Sequence, residues 1–442
     1  MDSLYAIKKS IKNYASGGNV LIVATLLAFI IANSPIADMY FSWWAQPISL
    51  QLGDFNLFSH NGHPMTVMEF INDALMAIFF FSIGLEIKRE VLVGELTSIK
   101  QALLPIVAAI GGMVIPVLLF MYIGRGSDFL RGSAIPMATD IAFALAVIYL
   151  LGDRVPLAAK VFLTTLAIVD DLGSVLVIAL FYTSNISLAS IAVGIGFLLI
   201  MFIANKLGVK NVWFYAILGI GGVWTAFLMS GVHATISAVL SAFMIPADSK
   251  IPEAAFISRL KKQLHHFEEA QSNDVITLEK EQVEIITKVK ETSKEAVPPL
   301  QRLEHGLHPF VAFCIMPIFA LSNAGVNFID MDFSSLFSSN VIIGVSLGLL
   351  LGKPIGILLS TWVLTKLKLG DISKTMTWRQ LTGIGFLASI GFTMSMFVTA
   401  LAFTDATNII QAKVGIFSAS IIGGTIGYLL LRSAPHHIKR HQ

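Results

Sequence analysis

The chain has 442 residues, of which 55% are hydrophobic and only 13% charged. A soluble globular domain carries about 25% charged residues, so this composition, with a mean hydropathy of +0.77, excludes an ordinary soluble domain and points to a surface that faces lipid. The net charge of +2 gives no sign of a nucleic-acid partner, and the single cysteine, Cys314, excludes an intrachain disulfide.

Length alone suggests two or three soluble domains. Hydropathy overrides that and predicts one polytopic membrane domain over 1–442. Apolar segments of the length needed to cross ~30 Å of hydrocarbon fall near 17–34, 66–90, 101–123, 131–151, 156–182 and 186–206. They continue near 211–228, 233–246, 308–325, 340–365, 379–403 and 410–432. The expected fold is therefore an all-α bundle of about twelve transmembrane helices. Lys8, Lys9 and Lys12 before the first run mimic a signal peptide, but the many later spans favour a retained first helix. Between the first two spans, 47–60 alternates apolar and polar residues around Gly53-Asp54, which predicts a small hairpin outside the membrane.

Loop charges set the orientation, because Lys and Arg collect on cytoplasmic loops. The amino-terminal lysines are followed by a loop, 35–65, without Lys or Arg. Lys88, Arg89 and Lys100 come next, then a weakly positive loop with Arg125 and Arg131. Arg154 and Lys160 precede an uncharged turn at 183–187, and Lys206 and Lys210 precede another at 229–232. The loop 326–339 has only Asp330 and Asp332. Lys366, Lys368, Lys374 and Arg379 follow, and the tail holds Arg432, Lys439 and Arg440. This alternation predicts both termini in the cytoplasm.

The segment 247–307 differs in kind. It is rich in Lys and Glu and has no Gly between Lys250 and Leu300. Val275, Leu278, Val283, Ile286 and Val289 recur at roughly helical spacing. It is expected to be a charged cytoplasmic loop or helical insertion, and charged helical faces of this kind are usually just solvated.

Polar residues inside the apolar spans give the functional signal. Asp170 and Asp171 stand side by side in a run, Pro156 to Phe181, that is otherwise almost free of charge. A carboxylate at mid-bilayer costs roughly 2.5–3.5 kcal/mol on insertion scales. Two are tolerated if they face water, hold protons or bind a cation, and each option points to ion handling. Asp140 follows Pro136, which lacks an N–H and disfavours helix at Ile135. An interrupted helix follows, with Asp140 near the amino end of its second half, where a carboxylate offsets the helix dipole. Lys353, in Gly352-Lys353-Pro354, lies deep in another span and needs a carboxylate or a helix carboxyl end beside it. The run Ser389-Ile-Gly391-Phe-Thr393-Met-Ser395 is a second break. One such break is an ordinary kink; two, in separate halves and accompanied by buried charge, mark a transporter site.

The chain resembles the NhaA-type sodium/proton antiporters, themselves a type case of inverted repeats with broken helices. The resemblance rests on Asp73-Ala-Leu-Met-Ala, Gly84-Leu-Glu86-Ile-Lys88-Arg89-Glu90, Ala108-Ala-Ile-Gly-Gly-Met, Ala138-Thr139-Asp140-Ile-Ala-Phe-Ala-Leu and Ala167-Ile-Val-Asp170-Asp171-Leu-Gly. It continues through Ser230-Gly-Val-His233-Ala-Thr, Leu303-Glu304-His305, Asn323-Ala-Gly-Val, Gly352-Lys353-Pro354 and Gly391-Phe-Thr-Met-Ser395. These lie in order over nearly the whole chain except 250–300. The resemblance implies two related three-helix units, inverted in the membrane, each with one helix broken at mid-membrane, and the two broken helices crossing. It implies that Asp171 is the principal cation ligand, that Asp170 pairs with Lys353, and that Thr139 and Asp140 sit at the crossing. It places Glu86, Glu90, His233, Glu304, His305 and His308 in or near regions tied to a pH response; for each, a solvated helix cap is the competing reading. It implies no cofactor and no enzymatic reaction. The implied partners are Na+, Li+ and H+ as cargo, the lipid bilayer of a bacterial inner membrane, and a homodimer formed through the extracytoplasmic hairpin.

Elementary chemistry leads to the same activity. Carboxylate oxygens are hard ligands that suit Na+ or Li+. Asp170, Asp171 and Lys353 should titrate as one coupled set. A cation entering from the cytoplasm displaces protons, and protons from outside displace the cation. If two protons exchange for one cation, net charge moves and membrane potential can drive the cycle; the resemblance implies an electrogenic exchanger that regulates internal pH and sodium. An intramembrane aspartyl protease needs its aspartates on different helices and commonly a Gly-x-Gly-Asp motif, which is missing here. A cation channel and a sodium-coupled symporter stay open at this level, as does K+ in place of Na+.

Overall fold

Apolar runs fold as helices because a backbone in lipid must satisfy its own hydrogen bonds, and the computed structural model is built almost entirely of them. It describes residues 17–49, 51–52, 55–56, 59–60, 63–124, 127–182, 187–270, 277–328, 339–370 and 376–434. Lys8, Lys9, Lys12, Gly53, Asp54, Arg125, Val275, Asp330, Asp332, Lys374, Lys439 and Arg440, all used in the sequence reading, lie outside the described residues.

In chain order the helices are α1 (Gly17–Ala32), α2 (Ala37–Trp44), α3 (Val67–Val93), α4 (Ile99–Ile123), α5 (Ile141–Leu151) and α6 (Leu157–Phe181). They continue as α7 (Leu188–Lys206), α8 (Val212–Leu228), α9 (Ala234–Met244), α10 (Glu253–Glu269) and α11 (Lys280–Ala296). The last five are α12 (Pro299–Asn323), α13 (Asn340–Lys366), α14 (Trp378–Ala388), α15 (Phe392–Ala402) and α16 (Ala406–Arg432). Among the described residues, eight helical segments are long and apolar enough to span a bilayer. The bent pairs α1/α2 and α14/α15, with the shorter apolar α8 and α9, complete the twelve segments that hydropathy predicts. The protein is a polytopic α-helical membrane protein.

Two three-helix units repeat the same plan. In the first, α4 and α6 flank a middle span that runs as a 3-10 helix over Arg131–Met137, turns extended, and resumes as α5. In the second, α13 and α16 flank α14 and α15, which meet at a 43° bend. The first unit starts at the third apolar segment and the second at the tenth. With each segment crossing once, an odd separation reverses direction, so the units are inverted. They pack through α4 and α13 at glycine: a Cβ on Gly356 would stand 2.1 Å from Gly111 O, and one on Gly111 would stand 2.4 Å from Gly356 O. Small residues permit such backbone approach in membranes, where no hydrophobic effect drives helices together.

Between α2 and α3 lies a small β structure. β1 (Pro47–Ile48) pairs antiparallel with β5 (His63–Thr66), which also pairs with β4 (Ser59–His60). β2 (Gln51–Leu52) pairs with β3 (Phe55–Asn56) in the expected hairpin. The sheet therefore runs past the expected 47–60, to Thr66, where Thr66 and Glu69 form a capping box that starts α3. The 247–307 insertion is also bounded differently. Pro299 sits in the first turn of α12, where its missing N–H costs nothing, so 299–307, with Glu304 and His305, lie on a span. The insertion itself is the helical hairpin α10–α11. It is tied by Gln263 Nε2 to Thr292 Oγ1 (2.8 Å) and by Arg259 to Glu295 (3.4 Å), and its ends meet where Leu300 N donates to Pro246 O at 3.1 Å.

Candidate functional site

Asp170 and Asp171 face the interior of the bundle from the middle of α6, with 0% and 1% of their surface exposed. The next residue, Leu172, is exposed on the opposite side, as expected for a helix with one lipid face. The two neighbours have different surroundings. Asp170 Oδ2 lies 2.8 Å from Lys353 Nζ and accepts from Thr139 Oγ1 at 2.8 Å. Asp171 instead lines a cavity of about 440 Å³ enclosed by α1, α3, α5 and α12. Asp170 Oδ1 and Asp171 Oδ1 are both buried without a hydrogen-bond partner.

The two chain breaks cross directly beside this pair. Asp140 N donates to Ile390 O at 2.6 Å, and Ser395 Oγ donates to Ile135 O at 2.9 Å. Thr139 Oγ1 also lies 3.0 Å from Ala388 O, the last residue of α14. Asp140 is the N-cap of α5, its Oδ1 accepting from Phe143 N at 3.1 Å. Its Oδ2 accepts from Thr393 N at 3.1 Å and from the Thr393 hydroxyl, in the first turn of α15. One carboxylate thus satisfies orphan N–H groups at two half-helix amino ends, where the dipole favours negative charge. One of the opposite, carboxyl, ends meets a cation, since Lys353 Nζ also donates to Met137 O, the last residue of the 3-10 half-helix. The local sequence explains where the ammonium sits. Gly348–Gly352 forms a π-helical turn, and Pro354, with no N–H, follows at once. Such turns displace the face of a helix and often occur at functional positions.

At its mouth the cavity carries the exposed His308 and the half-buried Glu86; Asp140 and Asp171 lie at its closed end. Beside that mouth Arg89 bridges two carboxylates, Glu90 at 2.7 Å and Glu304 Oε1 at 2.8 Å. His305, next to Glu304, is exposed. Lys88 Nζ donates to Phe243 O (2.7 Å) and Ile245 O (2.5 Å), neutralising the carboxyl end of α9. Glu86, Glu90, Glu304, His305 and His308 therefore gather at one end of the bundle. His233 does not join them. It precedes the first residue of α9, at the opposite end of that helix from the Lys88 contacts.

In the sequence, Thr393 and Ser395 mark only a break and Arg89 only a basic loop and a family motif; none of the three is given a role at the site. The signal for Thr393 was a hydroxyl two residues after Gly391, in the first turn of a resumed helix. For Arg89 the sequence had no signal, because its partner Glu304 is 215 residues away.

A family described as Na+/H+ antiporter 1 matches residues 8–431. A Na(+)/H(+) antiporter NhaA of Phocaeicola vulgatus is 46% identical over 97% of this chain and 96% of its own length. One from Helicobacter pylori is 46% identical over 96% of this chain and 94% of its own, and one from Bacteroides thetaiotaomicron is 43% identical over 96% and 98%. With the matched region taking in the aspartate pair, both chain breaks and Lys353, the chain belongs to the Na+/H+ antiporter 1 family, a family of membrane transporters rather than enzymes.

Proposed function

We propose that the protein exchanges cytoplasmic Na+ or Li+ for external H+ by alternating access at the buried aspartate pair. The observation that carries this reading is the asymmetry of the pair: Asp171 borders the cavity with an unpartnered oxygen, while Asp170 is held by Lys353 and Thr139. Asp171 is then the principal cation and proton site, and Asp170 contributes its free Oδ1 as a second ligand. Na+ drawn to these oxygens weakens the Asp170–Lys353 attraction and eases proton loss from Lys353. One proton from Asp171 and one from Lys353 leave for each Na+, which makes the exchange electrogenic. Asp140 and Thr139 hold the crossing and compensate the half-helix ends. Glu86, Glu90, Glu304, His305 and His308, with His233 at the far end of α9, are assigned to the pH response.

The remaining features fit a bacterial inner-membrane exchanger. The cavity mouth is on the side of the basic loops, so the termini and the α10–α11 hairpin are cytoplasmic by the positive-inside rule. The β structure then lies outside the cell, and its two short sheets supply edges for pairing with a second copy. The test is collapse of an imposed pH gradient in sealed vesicles on adding Na+, Li+ or K+. Na+ and Li+ should dissipate the gradient without any organic cosubstrate, and the K+ addition reads whether the site also takes K+. A cosubstrate requirement would favour a symporter, and conduction without proton movement a channel.

A further inference from the structure

The helix that presents the aspartates presents one more oxygen. Ser174 lies four residues after Asp170 and three after Asp171, so helix geometry makes its side chain a neighbour of both. Ser174 is 1% exposed, and its Oγ is buried without a hydrogen-bond partner. Among the described residues three other helical hydroxyls, Ser241, Thr361 and Ser420, are also buried without a partner, but a hydroxyl in a helix often bonds back to the carbonyl four residues earlier. Thr164, on the same helix, does so with Lys160 O at 3.1 Å. Buried polar groups without partners are few in native structures and call for an explanation. What sets Ser174 apart is its spacing, one helical turn from two residues that each carry a buried, partnerless oxygen, Asp170 Oδ1 and Asp171 Oδ1.

We propose that Ser174 Oγ is a ligand of the transported cation, completing with Asp170 Oδ1 and Asp171 Oδ1 a three-oxygen face on α6. The inference rests on the exchange function proposed above and names a specificity-determining residue within it. The division of labour is chemical. The carboxylates supply negative charge and the proton sites. The hydroxyl supplies a neutral hard oxygen, which binds an alkali cation through its lone pairs and gives up no proton. Its contribution therefore falls on cation affinity and not on the number of protons exchanged. Because the bare hydroxyl pays for its burial without a partner, removing it leaves the cation-free protein as stable or more so.

The test pairs transport with cation-dependent thermal stability in the purified full-length protein. Ser174→Ala should raise the apparent KM for both Na+ and Li+ by about 3- to 10-fold, the scale of one lost polar contact. Its melting temperature without Na+ should match or exceed that of the wild type, while the rise in melting temperature on adding Na+ shrinks. Ser174→Thr, which keeps the oxygen, should recover a KM close to wild type. A hydroxyl with only a packing role would leave both KM and the Na+-induced shift untouched. Asp171→Asn, measured alongside, separates the two claims. Unchanged KM and thermal shift in Ser174→Ala, with Asp171→Asn inactive, overturns the Ser174 assignment alone. Full exchange in Asp171→Asn overturns that assignment together with the function it rests on.

Discussion

The Lys353 ammonium lies 2.8 Å from Asp170 Oδ2, and neither side chain has any exposed surface. A buried pair of this kind is a poor source of net stability, yet breaking it by removing one partner leaves an uncompensated charge and costs about 3–5 kcal/mol. Lys353→Met should therefore lower the thermal stability of the detergent-solubilised protein markedly. Adding Asp170→Asn to it should restore most of the loss. Equal melting temperatures for Lys353→Met and wild type would show that the pair is not maintained in the folded protein.

Asp171→Asn should abolish Na+/H+ exchange, since the amide neither ionises nor releases a proton while its shape is kept. Asp170→Asn should also be severely impaired, by loss of a ligand and of the charge that holds Lys353. The two should differ in stability. Asp171 forms no ion pair among the described residues, whereas Asp170→Asn removes the ion-pair partner of Lys353 and leaves it the Met137 carbonyl. PH-gradient collapse in vesicles measures the first effect and thermal unfolding the second.

Most of the fold was legible because hydropathy and loop charge act locally. Pro136 and Gly391 marked the two breaks without any knowledge of what packs on them. Asp140 was placed at the start of a half-helix from its own neighbours in sequence, and it is the N-cap of α5. What local reading could not reach was its second duty. The Asp140 to Thr393 contacts span 253 residues, and no periodicity reports which break meets which carboxylate. The β structure extends beyond 47–60 to Thr66, and α12 begins at Pro299. Strands of two residues carry almost no alternation to read, and Pro299 starts a helix within a polar stretch that hydropathy assigns to the loop.

The contact between α4 and α13 should tolerate no side chain. Gly356→Ala would put a methyl 2.1 Å from Gly111 O and 2.6 Å from its carbonyl carbon, and backbone cannot yield as a side chain does. Overpacking of this sort typically costs about 1–3 kcal/mol. Because α13 also carries Lys353, the same shift should reduce exchange. Gly306→Ala, where nothing lies within 4 Å of the new methyl, is the control and should match wild type in both assays.

The α10–α11 hairpin should be dispensable for transport. None of the intramembrane ligands lies in it, and its ends are already joined by the Leu300 N to Pro246 O bond at 3.1 Å. A short flexible linker replacing 248–298 therefore spans the gap without pulling on α9 or α12. The Arg89–Glu304 and Lys88–Ile245 contacts use residues outside the deletion and stay in place. Exchange should persist, with changes confined to pH dependence or assembly. Complete loss of transport in a correctly inserted, well-folded deletion protein would make the hairpin part of the mechanism.

Na+ and protons compete for the same oxygens, so the apparent KM for Na+ should rise as pH falls. For each proton that Na+ must displace, the limiting slope is about tenfold per pH unit. If Asp171 and Lys353 each release one, the wild-type slope approaches about a hundredfold per unit, and net charge moves in each cycle. Lys353→Gln removes the second proton. Its slope should fall to about tenfold per unit, and its exchange should lose the dependence on membrane potential. Pairing alone, with no proton carried, predicts the opposite pattern: reduced stability, with slope and charge per cycle unchanged. Currents on supported membranes, measured with a pH series of Na+ uptake in vesicles, read the slope and the charge in the same preparation. A potential-driven Lys353→Gln protein with the wild-type slope would leave Lys353 a structural partner of Asp170 and move the second proton elsewhere.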